Sequence, residues 1–176
     1  MSSIAGIHAA PPLEVHIALI DEEKFSGMVE PHWAAMVALA RRLTNPSDAD
    51  DVVQEALAVA WRKRSRFDPL RGTARAWLLA LTADQCRKAW RRSKPATAPV
   101  EALALVGVES FVPDVDLQAA IHKLSSRQRL AVELYYFLRL STAETATVMR
   151  CSEGTVKSAL ADARKRLRGI LGDEYR

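Results

Sequence analysis

Between Asp48 and Arg92 the chain reverses its electrical character inside one nearly continuous helical pattern, and few arrangements accommodate that. The stretch reads DADDVVQEALAVAWRKRSRFDPLRGTARAWLLALTADQCRKAWRR. It starts as an acidic amphipathic helix and ends as a basic segment that carries aromatics. From Trp61 to Arg92 eight Arg and two Lys stand against Asp68 and Asp84 alone, a net of +8, while the whole chain nets only +4. The remainder is therefore mildly acidic. A basic density of this kind attracts polyphosphate, because each phosphate neutralised releases condensed counterions. Trp61, Trp77, Trp90 and Phe67 are interleaved with it, and aromatics beside arginines suit unstacked bases. Trp61 and Trp77 also fall on apolar stripes, which reads as core, whereas Phe67 and Trp90 stand among charges. A merely solvated surface has no need of the order acidic helix, basic loop, basic helix.

The other bounds are broad. A length of 176 residues allows one domain or two small ones. Apolar content of 49% and charged content of 26% are ordinary for a soluble globular chain. No apolar run approaches the roughly 18 residues of a membrane span. The opening MSSIAGIHAAPPLEVH lacks the basic start and long apolar centre of a signal peptide. Cys86 and Cys151 share no metal spacing and read as reduced thiols in a cytoplasmic protein. His8, His16, His32 and His122 are scattered. No metal ligand set, cofactor motif or nucleophile–base pair emerges, so an enzyme is the least favoured class.

Taken in order, residues 1–20 read as a tail, with Pro11 and Pro12 breaking any early helix. A helical period starts near Asp21: Phe25, Met28 and Val29 share a face, and Trp33, Met36, Val37, Ala40 and Leu43 continue it past Pro31. Arg41 and Arg42 suit the end of that helix. Asn45 is expected to cap the next helix, with Pro46 at its first position and Asp48, Asp50 and Asp51 in its first turn. Val52, Val53, Ala56, Leu57, Ala60 and Trp61 form its inner face. Asp50, Asp51, Gln54 and Glu55 then point outward, either as a solvated face or toward a protein partner. Pro69 and Gly72 force a loop. Ala74 to Arg92 is helical again, with Trp77, Leu78, Leu81, Cys86 and Ala89 for packing. Residues 93–115 lose the period, gain Pro95, Pro99 and Pro113, and turn acidic, which reads as a flexible linker.

Residues 116–172 form a second helical unit. Leu117, Ala120, Ile121 and Leu124 face inward. Ser125 or Ser126 caps the following helix, whose Leu130, Val132, Leu134, Tyr135 and Leu138 are expected inside. Ser141-Thr142-Ala143-Glu144 is a capping box, and Ser152 caps a last helix with Val156, Leu160, Ala163, Leu167 and Ile170 on one stripe. A short helix and a long one joined by a three-residue turn make a helix-turn-helix. An ordinary helical hairpin has the same outline, but Arg164-Lys165-Arg166-Leu167-Arg168 favours DNA. The polar face of the last helix shows Glu153, Thr155, Lys157, Ser158, Asp162, Lys165 and Arg166. Its N-terminal part would enter the major groove, where Lys157 reaches guanine edges or phosphate and Ser158 either.

Three stretches in this order are specific: DADDVVQEALAVAWRKRSRFDP, then RAWLLAL, then LSSRQRLAVELYYFLRLSTAETATVMRCSEGTVKSALADARKRLR. They resemble a bacterial RNA polymerase sigma factor of the extracytoplasmic-function (ECF) class. The resemblance implies an all-α chain with two small helical domains joined by a flexible linker: residues 21–92 as sigma region 2, 93–115 as linker and 116–172 as region 4. It implies that Asp48, Asp51, Gln54 and Glu55 meet core RNA polymerase. Lys63, Arg64, Arg66, Phe67, Arg71 and Arg75 would face the −10 element and its melted strand. Arg87, Lys88, Arg91 and Arg92 would lie on duplex just upstream. Glu153, Thr155, Lys157, Ser158, Asp162 and Lys165 would read the −35 element of promoter DNA. An anti-sigma protein is a further implied partner. The chain departs from the family pattern at Ala159, Ala161 and Asp162, where Arg and aromatic residues are common, and at Asp84, where Asn is common. Two other classes remain open on the residues alone: a stand-alone regulator that binds DNA without polymerase, and a helical adaptor that binds none.

Overall fold

The structure, a computed structural model, describes residues 13–92 and 115–172. The expected linker thus lies outside the described residues, Val115 excepted. Every regular element among them is helical: α1 (Leu13–Val29), α2 (Trp33–Leu43), α3 (Ala49–Lys63), α4 (Ala74–Arg92), α5 (Val115–His122), α6 (Ser126–Val132), α7 (Thr142–Met149) and α8 (Glu153–Leu171). The first helix already starts at Leu13, inside the stretch read as a tail.

Helices α2, α3 and α4 pack on one another through small and branched side chains. Met36 and Leu39 on α2, Val52, Val53, Ala56 and Ala60 on α3, and Leu78, Leu79 and Leu81 on α4 are all buried. Each large aliphatic side chain removed from water contributes about 1.5–3 kcal/mol. Phe25 on α1 meets Trp61 on α3 edge to face at 5.1 Å, which explains why Trp61 is half-buried. Trp33 is an exception to the expected inner face, being 46% exposed. It opens α2 directly after the short turn Glu30–His32, and that break resets the helical phase.

The C-terminal unit has its own core of Ile121, Leu124, Val132, Val156 and Leu160. Its helix starts are those expected from local chemistry. Ser125 Oγ accepts from Gln128 N and Ser141 Oγ from Glu144 N, each closed into a capping box, and Ser152 Oγ accepts from Thr155 N. Between α6 and α7 the chain widens into a π-helical turn, Glu133–Phe137, in which Leu138 N donates to Glu133 O at 3.0 Å. This wider turn moves Tyr135 outward, so it is exposed rather than inside, and it meets Tyr136 edge to face.

The two units share a wall. Leu130, Leu134, Leu138, Leu140 and Val148 belong to the same buried cluster as α2, α3 and α4. A charged group lies in that seam. Glu133, 1% exposed, accepts from Arg42 Nε, and the Arg42 guanidinium lies 3.6 Å over the Phe137 ring. Arg129 Nη2 donates to the Arg42 carbonyl. Among the described residues, Arg42 Nη2 and Arg129 Nε are buried without a hydrogen-bond partner. Burial pushes the Glu133 carboxyl upward, and the two arginines oppose that shift.

Candidate nucleic-acid interface

The outer face of α3 is acidic. Asp50, Asp51, Gln54 and Glu55 are exposed, and Asp48 is half-buried. Asn45 does not cap α3 with its side chain. Its Nδ2 instead donates to Asp48 Oδ2 at 3.5 Å, because a short turn, Pro46–Asp48, precedes the helix. Glu55 already has a cation, Arg92, at 3.3 Å. That pair ties the acidic helix to the basic end of α4, though exposed pairs are worth at most about 1 kcal/mol.

The basic segment divides into side chains that reach solvent and side chains held by the protein. Lys63, Arg66, Arg71, Lys88 and Arg91 are exposed. Asp68 to Arg71 forms a tight turn with Arg71 N donating to Asp68 O, while Asp68 Oδ1 takes Leu70 N at 2.9 Å. Proline at the second place of such a turn presets its backbone angle. The turn pushes Leu70 out to 95% exposure. Phe67 is half-buried and leans on Trp77 at 5.3 Å. Arg64 folds back: its Nε donates to Asp21 Oδ2 at 2.6 Å, its Nη1 to Trp61 O, and its guanidinium covers the Trp61 ring. Arg75 Nη2 donates to Leu138 O of the C-terminal unit at 2.5 Å. Arg87 pairs with Asp84. Trp90, between Lys88 and Arg91, is 64% exposed.

The face of α8 is simpler. Glu153, Lys157, Ser158, Asp162 and Lys165 are all exposed, while Val156, Ala159, Leu160 and Ala163 are buried beneath them. Ala159 is thus a core position and not a departure on the DNA side. Thr155 is half-buried, with its hydroxyl 2.9 Å from that of Ser152. Arg166 Nε donates to Lys123 O, which anchors α8 to the end of α5.

Sequence reasoning missed the seam residues Arg42, Arg129 and Glu133, and it missed Arg150. One signal was available: Glu133 is the single acid in the apolar run LAVELYYFL, and a buried acid needs a paired cation. Arg150 ends α7 in the left-handed conformation at φ 53°, with Cys151 N donating to Ala146 O and Arg150 N to Thr147 O, the bond pair of a Schellman end. Its guanidinium reaches Asp84 Oδ2 at 2.5 Å. Of the two thiols, Cys86 is pushed up to about 12 by burial, so it carries no nucleophilic thiolate near neutral pH. Among the described residues no cluster of His, Cys, Asp or Glu is placed to hold a metal, and no helix is long and apolar enough to cross a membrane.

Comparison with known proteins matches both halves. Residues 28–95 match Sigma-70 region 2, and residues 114–167 match Sigma-70, region 4. The chain is 33% identical over 166 residues to the ECF RNA polymerase sigma factor SigM of Mycobacterium tuberculosis, covering 91% of this chain and 83% of that relative. It is 33% identical over 157 residues to the RNA polymerase sigma-E factor of Streptomyces coelicolor, covering 84% and 86%. Among solved structures it is similar to the sigma factor RpoE of Bartonella quintana, crystallised with the anti-sigma factor NepR. That likeness has a TM-score of 0.71 and 25% identity and covers 86% of this chain and 99% of the other. It is also similar to CnrH, solved with the cytosolic domain of CnrY, with a TM-score of 0.66 and 26% identity over 85% and 88%.

Proposed function

The chain belongs to the sigma-70 family, in its extracytoplasmic-function class, and directs RNA polymerase to promoters; from that premise we propose how its surfaces divide the work. Sigma factors are non-catalytic initiation factors, and we read this chain as no enzyme. Residues 21–92 act as region 2, 116–172 as region 4, and 93–115 join them, with 1–20 as a tail. The outward face of α3, with Asp48, Asp51, Gln54 and Glu55, docks on core polymerase. Lys63, Arg64, Arg66, Phe67, Arg71 and Arg75 line the −10 element and hold its separated strand. Arg87, Lys88 and Arg91 sit on the duplex upstream. Glu153, Thr155, Lys157, Ser158, Asp162 and Lys165 read the −35 element from the major groove.

Unstacking costs a few kcal/mol per step, and stacked bases together with arginine–phosphate contacts offset it. The observation that carries this reading is the separation of charge: an exposed acidic face on α3 and exposed cations on the adjoining loop, on the end of α4 and on α8. The working place is the cytoplasm, with the polymerase. Because both solved relatives were captured with a second protein, CnrY in one case and an anti-sigma factor in the other, an anti-sigma protein is the third partner. The test is run-off transcription with purified core polymerase on a genomic template library. Defined start sites are expected, and random starts overturn the assignment. Gln54→Ala combined with Glu55→Ala should abolish core binding; unchanged binding moves the docking face elsewhere.

A further inference from the structure

One carboxylate in the molecule holds an arginine from each unit. Asp84, on α4, accepts Arg87 Nη2 on Oδ1 and Arg150 Nη2 on Oδ2, the latter at 2.5 Å. Its side chain is only 22% exposed, while those of Arg87 and Arg150 are 45% and 62% exposed. Arg87 is on the basic end of α4. Arg150 is the turn residue of the helix-turn-helix, two residues before Ser152, which caps the recognition helix α8. The end of such a helix that enters the groove is its N-terminal end. Arg150 therefore stands at the same end as Glu153, Lys157 and Ser158, where the flanking phosphates pass.

Arg150 is also expensive where it is. A left-handed turn position suits glycine, and a side chain there costs about 1 kcal/mol. The exposed pairs it and Arg87 make with Asp84 return little. Two oxygens of one anion that receive two guanidiniums reproduce what a DNA phosphate offers.

We propose that Asp84 stands in for a DNA phosphate in the free protein, and that Arg150 is a phosphate-contacting residue of the −35 duplex that Asp84 occupies until DNA displaces it. This rests on α8 being the −35 reader. Two cations, one from each unit, are then withheld from non-specific DNA; Arg150 leaves Asp84 when the units part, whereas Arg87 shares α4 with Asp84 and is freed only when a phosphate competes for it.

The test uses the full chain and a fluorescent 20-base-pair duplex of arbitrary sequence, titrated by anisotropy at several salt concentrations. Asp84→Asn should bind more tightly than wild type, with the slope of log affinity against log salt steeper by about 2, or 0.9 for each phosphate gained. Adding Arg150→Gly, which suits the turn and preserves the fold, should remove about half of that increase. Unchanged affinity and slope in Asp84→Asn, or a full increase that survives Arg150→Gly, overturns the proposal. Run-off transcription by the wild type with core polymerase separates the two levels. Defined starts with unaltered slopes overturn this inference alone, and absent starts overturn the −35 reading and the inference with it.

Discussion

The exposed face of α8 and the basic surface of α3 and α4 both carry cations, but they carry them differently. On α8 the polar side chains Lys157, Ser158 and Lys165 stand in solvent over a buried stripe. In the loop and on α4, Arg64 is spent on Asp21 and Trp61, Arg75 on Leu138 O, and Arg87 on Asp84. A groove-reading helix can be finished in advance because duplex DNA is a fixed shape. A surface that holds separated strands has no such template until the strands part, and Arg64, Arg75 and Arg87 meanwhile satisfy themselves on the protein while Arg66, Arg71 and Arg91 stay in solvent.

The contrast breaks most readily at the seam, where Arg75 and the C-terminal unit meet. Glu133→Gln leaves the half-buried Arg42 and Arg129 without their counter-charge. Removing one partner of a buried pair costs about 3–5 kcal/mol, which lowers the melting temperature by roughly 6–20 °C in a chain of this size. Calorimetry with small-angle scattering checks it. An unchanged melt and an unchanged radius mean that the units are not held there.

The next effect concerns readout. Lys157→Ala should cost about 1–3 kcal/mol at one promoter position and relax preference there. Lys88→Ala should weaken binding evenly across sequences and lower the salt slope by about 1. Competition assays of holoenzyme on a set of single-base promoter variants distinguish the two. Equal patterns for both variants erase the contrast between reader and backbone clamp.

Ser141→Ala probes whether the helix-turn-helix stands by itself. Ser141 accepts Glu144 N at 3.2 Å and returns its own N–H to Glu144 Oε2 at 3.0 Å, and these bonds hold the Glu144 carboxyl below the usual range. Loss of the cap should cost about 1 kcal/mol, visible as an earlier chemical melt with an unchanged slope.

The smallest effect is acid sensitivity. Burial foremost, with Arg75 beside His32 and with Arg129 and Arg42 beside His122, lowers both histidines. The folded chain then resists a proton that the unfolded chain accepts near its ordinary pKa of about 6.5. Stability present above that pH is lost as pH falls below it. Melting temperature should fall from pH 7 to 5.5, and His122→Gln should remove part of the fall.

What could be read in advance followed the range of the forces involved. The caps at Ser125, Ser141 and Ser152 and the inner face of α3 depend on neighbours within one or two turns, and they formed as expected. The engagement of Arg64 with Asp21, and of Arg42 with Glu133, joins residues far apart in sequence, where periodicity carries no information. Tyr135 and Trp33 were misplaced because a π turn and a short break each shift the phase on which an inner face is counted. The exposed acidic residues of α3 were legible because they lie opposite an apolar stripe. That Glu55 is paired with Arg92 was not, since no local pattern brings the two together.

The widened turn at Glu133–Phe137 has a consequence for how the chain can vary in length. An α-helix advances about 100° per residue, and a π turn holds one residue more than the regular ladder does. Deleting a single residue between Leu134 and Tyr136 would restore a uniform helix and swing Glu133 and Phe137 to different bearings around its axis. Both now close on the same guanidinium, that of Arg42. A one-residue deletion, harmless in most connecting segments, would here unlock the two halves from each other.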